Sequence, residues 1–508
     1  MLRTSNFSKT YGGVAGDYGH AVQQTNDSGY IVAGFTLSFG TGSQNVYVIK
    51  TDANGDTLWP RTFRGNINAT TNFVKQTYDN GYIVAGNSNN MWGGTNYLIR
   101  LDSNGDTLWT RIYGGNYDLV VSVHQTSDNG FIIGGITESF GADSADVYLT
   151  KTDSNGNILW TKIYGGGIRN EGAYSFNLTS DGGFIICGYT SSYGAGGYDF
   201  YLMRTDSGGN PLWVKTFGGA DMDIAHSVEQ TTDGGFIVTG STNSFGVGEY
   251  DIYLIRADGN GNLLWSNTYG GINDDGGNCV QQTTDGGYIV AGATNSFGVD
   301  STVVYIVRTD SNGNILWSKT INNAGNNSAS SIQKTLDQGY IITGVTNNQM
   351  LFYTGDVYLI KTDSNGNSGC NENIPSTIVT AVSTIATAQS VTILSGGVVG
   401  NPQTQVGSGS SITTLCFTNN ISEINNNENT ITIFPNPATS EIKFQISKFK
   451  VESVVIYDVL GAKVFSKDVT AGNKDVLTIN TVAFTAGIYF VSIKTKEGIE
   501  TKKLIVQH

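Results

Sequence analysis

From Phe7 to Asn367 the hydrophobic positions fall in short runs, four kinds of which follow one another in fixed order. The first, strand a, is typified by Trp265-Ser-Asn-Thr-Tyr269. The second, b, is typified by Ser227-Val-Glu-Gln-Thr231, the third, c, by Phe236-Ile-Val238, and the fourth, d, by Tyr253-Leu-Ile-Arg256. Each run is too short for a helix, is rich in β-branched and aromatic residues, and is bounded by Gly, Asn and Asp, so each predicts a strand. The b–c junction carries Asp27, Asp79, Asp128, Asp181, Asp233, Asp285 and Asp337, with Gly29, Gly81, Gly130, Gly183, Gly235, Gly287 and Gly339 two residues later. Asp bonding its own turn backbone and Gly supplying a positive φ predict a tight hairpin there. The d–a junction, Asp-x-Asn-Gly-Asn or a close variant, predicts a second.

The four runs recur as a unit. Trp59, Trp109, Trp160, Trp213, Trp265 and Trp317 are 50, 51, 53, 52 and 52 residues apart, and Phe7 stands one period earlier. Seven copies of four antiparallel strands predict an all-β fold, a seven-bladed β-propeller. A parallel β-helix would have shorter coils and no hairpins. The last copy ends at Asn367 with no strand a after it, while Phe7 to Tyr11 supplies a spare one, so the N-terminal strand is expected to complete the last blade and close the ring. In strand d the Tyr register (Tyr47 through Tyr358) predicts packing. The basic register three residues on (Lys50, Arg100, Lys151, Arg204, Arg256, Arg308, Lys361) predicts partners for turn carboxylates or carbonyls. The motif Thr-Asp-x-Asn-Gly-Asn-x-Leu-Trp resembles the tryptophan-docking repeat of quinoprotein-type propellers, one residue shorter. The resemblance implies that each Trp wedges between blades and carries over no catalytic residue.

Composition narrows the partners. The 508 residues include 67 Gly but 6 Pro, and 26 Tyr with 22 Phe, which excludes collagen and disorder. A net charge of −14 argues against nucleic acid. No apolar run reaches the length of a transmembrane helix, and Met1 to Phe7 shows no signal-peptide pattern. Taken alone, that start reads as cytoplasmic. Of four cysteines, Cys187 and Cys279 fall in strand runs and read as buried free thiols, whereas Cys370 and Cys416 bracket one segment and are expected to form a disulfide in an exported protein.

Ligand chemistry is expected on the face carrying the longer a–b and c–d loops. Asp17, Asp118, Glu171, Asp223 and Asp275 share one a–b register, occupied by Ala69 and Asn327 in the other copies. They read either as loop-capping carboxylates or as an acidic ring for Ca²⁺ or a cationic group. Phe39, Phe140, Tyr193, Phe245 and Phe297, in Ser-Phe/Tyr-Gly triplets of the c–d loops, read either as packing beneath their loops or as platforms for a glycan. The Asp-x-Asn-Gly-Asn turns lack the Gly and Glu spacing of an EF-hand. His20 and His226 share a register held by Asn278 in another copy and read as polar surface or turn residues. No hydrolase, metallopeptidase or P-loop pattern occurs. The expectation is therefore a binding or adhesion module without cofactor or metal; the alternatives are a secreted glycosidase or lyase using loop carboxylates, and a structural surface-layer protein.

After the propeller (1–368) the texture becomes Thr, Ser and Val-rich over 369–418, expected to add a strand or two, followed by a polar linker at 419–430. Residues 431–508 stand apart, with ten Lys against seven acids (+3) while the rest of the chain holds 18 basic and 35 acidic residues (−17). About seven short strands there predict an immunoglobulin-like sandwich. Phe434-Pro435-Asn436-Pro437, Ile456-Tyr457-Asp458-Val-Leu-Gly461, Gly487-Ile-Tyr489 and Lys502-Lys503 resemble, in order, the type A C-terminal sorting domain of the Bacteroidetes type IX secretion system. That resemblance implies recognition by the translocon, removal by a sortase in the linker, and a place outside the cell or on its outer membrane. It also implies an N-terminal leader upstream of Met1.

Overall fold

The computed structural model describes residues 5–507 except 41–43, 65–67, 91–92, 116, 140–144, 166–169, 299, 324, 347–353, 385, 390–391, 395–398, 401–404, 408, 410, 419–430, 437, 447–450, 459–461, 469–475 and 496–497. Two compact units make up the chain, Met1–Asn420 and Ile421–His508. Every regular element among the described residues is a strand.

Among the described residues the first unit contains seven antiparallel five-stranded sheets, each ordered b, c, d, a and a fifth strand, short in six of them. One sheet comprises Asp223–Gln230, Phe236–Thr242, Asp251–Ala257 and Leu263–Gly270, with Ile378–Ala381 on its outer edge. The last sheet takes its fourth strand from the N-terminus: Asn6–Gly12 pairs with Asp356–Thr362, Phe7 opposite Lys361. Each sheet packs on the next through one hydrophobic cluster, such as Ile185 and Phe200 against Val228, Phe236 and Tyr253. The last packs on the first, with Ile341, Val357 and Leu359 against Val22, Val32 and Tyr47. The circuit of sheets is thus closed, and Gln24 Oε1 accepts from Leu336 N at 2.8 Å across the closure.

Local chemistry explains the repeat. Each Trp of the repeat register packs on an aromatic of the following sheet, for instance Trp213 on Phe236 with ring centroids 5.7 Å apart. Its indole N–H donates to Gly259 O at 3.1 Å in that sheet's d–a turn. The Tyr of strand a reaches the same turn: Tyr113, Tyr164 and Tyr269 donate to Gly156, Gly209 and Gly313 carbonyls at 2.8, 2.6 and 2.6 Å. In the b–c turns the positive φ falls on the residue between Asp and Gly, as at Ser28 (69°) and Gly234 (84°), which corrects the expectation that Gly29 and its equivalents supply it. Those glycines are required for space: a Cβ at Gly29 would strike Thr51 O and Lys50 Nζ.

The expectation of one or two added strands after the propeller is also corrected. Residues 372–418 lay a fifth strand on all seven sheets, travelling round the ring against chain order: Glu372–Asn373, Ile378–Ala381, Thr387–Ala388, Thr392–Leu394, Val399–Gly400, Gln405–Gly407 and Ser411–Thr418. The last of these pairs with Asn6–Gly12. The step is about seven residues per sheet. Val382 N donates to Ser266 O and Gln389 N to Val214 O, both at 2.9 Å, at equivalent places in adjacent sheets. The belt satisfies the outer edge of strand a, which would otherwise present unpaired N–H and C=O groups.

Among its described residues the second unit has two sheets. Ile431–Phe434, Glu441–Ile446 and Val476–Asn480 form one; Lys463–Asp468, Val451–Asp458, Gly487–Thr495 and Gly498–Val506 form the other. Ile442, Phe444 and Ile479 of the first share a core with Val454, Ile456, Val491, Ile493 and Leu504 of the second.

Candidate functional site

Four of the five acids of the a–b register begin strand b, Asp118 immediately precedes it, and all lie buried. Asp17, Asp118, Asp223 and Asp275 accept through Oδ2 from the loop amides of Gly13, Gly115, Gly219 and Gly271 at 2.8, 2.6, 2.7 and 2.7 Å. Ser38, Ser244 and Ser296, which precede the loop aromatics, each donate to an Asp Oδ2 at 2.7 Å. Glu171 accepts from Thr190 Oγ1 at 2.9 Å. The geometry is that of loop-capping carboxylates, with no acidic ring open to solvent. Asn327 does the same work in the seventh copy by donating to Asn323 O and Gly325 O, both at 2.8 Å.

Sequence reasoning missed a second set of acids at the start of strand d, although their register, two before the Tyr, was visible. Asp199, Asp251 and Asp356 sit beside Asp223, Asp275 and Asp17 of the next sheet. Gly218, Gly270 and Gly12 leave room for both members of each pair: a Cβ at Gly270 would overlap Asp251 and come within 2.6 Å of Asp275 Oδ2. Burial, then the neighbouring carboxylate, pushes Asp251 up to about 7, and the same causes push Asp199 and Asp356 up to about 6. Such carboxyls hold protons that ordinary aspartates have lost.

The loop aromatics pack downward. Phe39, Phe245 and Phe297 lie 5.7, 5.6 and 5.5 Å from Tyr47, Tyr253 and Tyr305, ring centroid to centroid. Tyr193 is half-buried at the equivalent place, and Phe140 lies outside the described residues. The side chains on the tips of the a–b loops are different ones: Val14 is fully exposed, Ile272 is 72% exposed and Tyr117 is 50% exposed.

His20 and His226 are half-buried strand residues, not surface or turn residues. His20 and His226 occupy a β-bulge in strand b and face the bulge carbonyls Thr71 O and Gly277 O of the next sheet at 2.7 and 3.1 Å. Asn72 and Asn278 donate likewise to Val120 O and Ala329 O at 2.8 Å. Burial holds both His pKa values below the ordinary one. His124 is buried, with Nε2 donating to Phe176 O at 2.9 Å. In the d–a turns, Asp258 Oδ1 accepts from Asn260 N and Asn262 N at 2.9 and 2.8 Å, so its lone pairs are engaged by the turn itself. Among the described residues no three His, Cys, Asp or Glu side chains converge as a metal ion requires. Cys187 is a buried free thiol, Cys279 a half-buried one, and Cys370 is disulfide-bonded. The side chain of Cys416 lies outside the described residues.

In the second unit Asn436 bridges two segments: its Nδ2 donates to Lys503 O, and its Oδ1 accepts from Ile505 N, both at 2.8 Å. The Phe434–Pro435 peptide is cis. Tyr489 is buried and donates to Thr485 O at 2.8 Å, in the strand that Gly487 begins. Lys502 is half-buried and Lys503 exposed; Pro437 and Gly461 lie outside the described residues.

No curated protein matches the chain. Among solved structures, the chain is similar to a crystal structure of Sqt1 from Chaetomium thermophilum, at 10% identity and a TM-score of 0.41, covering 70% of this chain and 99% of that one. It is also similar to a copper complex of a fungal alcohol oxidase of the AA5 family, at 10% identity and a TM-score of 0.42, covering both chains completely. At those scores neither likeness bears on activity. Residues 432–507, the span over which Asn436, Tyr489 and the paired lysines are held together, match the secretion system C-terminal sorting domain, a tail that marks this chain for export by the type IX secretion machinery.

Proposed function

We propose that the first unit is a seven-bladed β-propeller acting outside the cell as a binding or adhesion module, delivered by a removable type A sorting domain of immunoglobulin-like form. One observation carries this reading. A repeated scaffold, whose buried acids, bases and histidines are engaged in holding sheets and loops together, presents non-repeated apolar side chains on the tips of its a–b loops: Val14, Tyr117 and Ile272. Variation on a constant frame is how loop faces acquire ligands. Catalysis by loop carboxylates is the weaker reading, because the acids of that register are covered. The linker of residues 419–430 is the proposed site of sortase cleavage.

The test is a glycan array and a panel of immobilised extracellular-matrix proteins probed with the full chain. A signal is expected that the triple variant Val14→Ser, Tyr117→Ser, Ile272→Ser loses while its melting temperature stays unchanged. Binding that survives the triple variant moves the site elsewhere. Silence on both surfaces from folded protein argues for a structural role.

A further inference from the structure

We propose that the belt of residues 371–415 is a girdle shut by a Cys370–Cys416 disulfide, and that reduction lets it peel from the ring while the four inner strands of each sheet stay folded. The pairing follows from the thiols: the chain has four cysteines, Cys187 and Cys279 are free, and Cys370 is bonded. The backbone brings the two ends of the belt to one corner. Asn6 Nδ2 donates to Asn367 O at 2.8 Å, three residues before Cys370. The same Asn6 stands opposite Thr418 in the sheet, and Ser8 stands opposite Cys416.

The grip between those ends is slight. Six of the seven belt strands are two to four residues long, against eight for Ser411–Thr418. Of the belt side chains described, Ile374, Ile378 and Val379 remain exposed, and these recover little burial for the entropy of ordering them. The cores between sheets are built from strands a to d, with Val382 and Ala386 as partly buried belt neighbours of one cluster. The ring therefore has its own hydrophobic support, and the belt has chiefly its edge pairing and its closed loop. At the start, Glu372 Oε1 accepts from Gly369 N and Ser368 Oγ at 2.6 and 2.8 Å.

Closing the girdle forms one S–S bond and breaks two S–H bonds. Two electrons and two protons pass, by thiol–disulfide exchange, to an external disulfide, which leaves as two thiols. The reverse step needs an external dithiol. Export, implied by the sorting tail, takes the chain to a compartment where such disulfides persist. Opening would uncover the outer edges of the seven a strands, a surface fitted to accept an added strand.

The experiment is hydrogen exchange read by mass spectrometry on the full chain, oxidised and after treatment with a phosphine reductant, with Cys370→Ser alongside. A peptide map of the oxidised protein is expected to show 370 linked to 416. On reduction, belt peptides over 378–381 and 405–407 are expected to exchange at least about tenfold faster, while peptides over 236–242 and 251–257 keep their rates. The proposal is overturned by free thiols at 370 and 416 in the oxidised protein, by belt exchange that reduction leaves unchanged, or by belt and inner strands accelerating together. Should Cys370→Ser fail to fold, reduction of the folded native chain decides the matter alone.

Discussion

Arg256 Nη2 meets both carboxylate oxygens of Asp233, at 2.6 and 2.5 Å, from a buried position at the end of strand d. The same guanidinium donates through Nη1 to Phe236 O at 3.2 Å and to Ala257 O, and through Nε to Tyr288 Oη of the next sheet at 2.9 Å. One side chain therefore fastens the b–c turn, strands c and d, and the neighbouring sheet. Lys50, Lys151 and Lys361 hold the corresponding turn Asp residues at 2.8, 2.9 and 2.9 Å. Arg256→Lys is expected to cost about 1 kcal/mol or less. Arg256→Met leaves buried carbonyls without donors and is expected to cost about 2–4 kcal/mol. Urea denaturation followed by tryptophan fluorescence separates the two.

His226 can be exchanged within its own repeat. Asn278 fills that bulge in the next copy and makes the same bond, so His226→Asn is expected to change stability by less than about 0.5 kcal/mol. His226→Ala leaves Gly277 O unpaired at a cost of about 1–2 kcal/mol. A His226→Asn protein that loses a binding signal retained by the native chain would show that the ring does more than bridge sheets.

Gly240 in strand c has no room for a side chain, since a Cβ would collide with Ile224 O in the bulged strand b. Gly240→Ala is expected to cost about 3 kcal/mol or more, because backbone on both sides must move. Gly234→Ala, whose added Cβ would meet nothing within 4 Å but must take a φ of 84°, is expected to cost about 1 kcal/mol. Comparing their thermal midpoints distinguishes a lack of space from backbone strain.

Stability should vary with pH in two opposed ways. Asp251, Asp199 and Asp356, pushed up to about 7, 6 and 6 in the fold, bind more protons folded than unfolded. Their contribution is complete below an unfolded pKa of about 3.9 and is lost as pH rises through 6 to 7. Asp128 and Asp181, drawn down to about 2 against the burial of their sites by turn hydrogen bonds and by Lys151 and Arg204, bind fewer protons folded. Their contribution is present above about pH 4 and lost as pH falls towards 2. Denaturation midpoints are expected to peak near pH 4–6, and Asp251→Asn, which keeps the size and removes the charge, should flatten the decline towards pH 8. An unaltered slope in that variant would show that Asp251 holds no proton through that range.

Much of this architecture was legible in the chain because its information is local and repeated. The spacing of Trp59 through Trp317, the turn Asp residues with the basic register of strand d, and the spare strand at Phe7 each follow from short-range chemistry multiplied by copy number. The belt was not recognised, although Ser376-Thr-Ile-Val-Thr-Ala-Val382 is followed by Ser383-Thr-Ile-Ala-Thr-Ala-Gln389 in a seven-residue repeat. A two-residue strand has no hydrophobic period of its own, and its partner lies across the ring's outer edge. The acids at Asp17 through Asp275 showed their register but not their burial, since a carboxylate at a loop base is written the same way whether the loop folds over it or stands open.

By itself, the sequence determined the strand order, the copy number of the repeat and the sorting tail, because hairpin turns and hydrophobic alternation act between neighbours along the chain. Tertiary structure alone decided which carboxylates lie beside one another, which histidine faces which carbonyl, and that strands drawn from residues 372–418 edge all seven sheets. Those relations join positions 24 to 412 residues apart, and nothing local specifies them until the ring has closed.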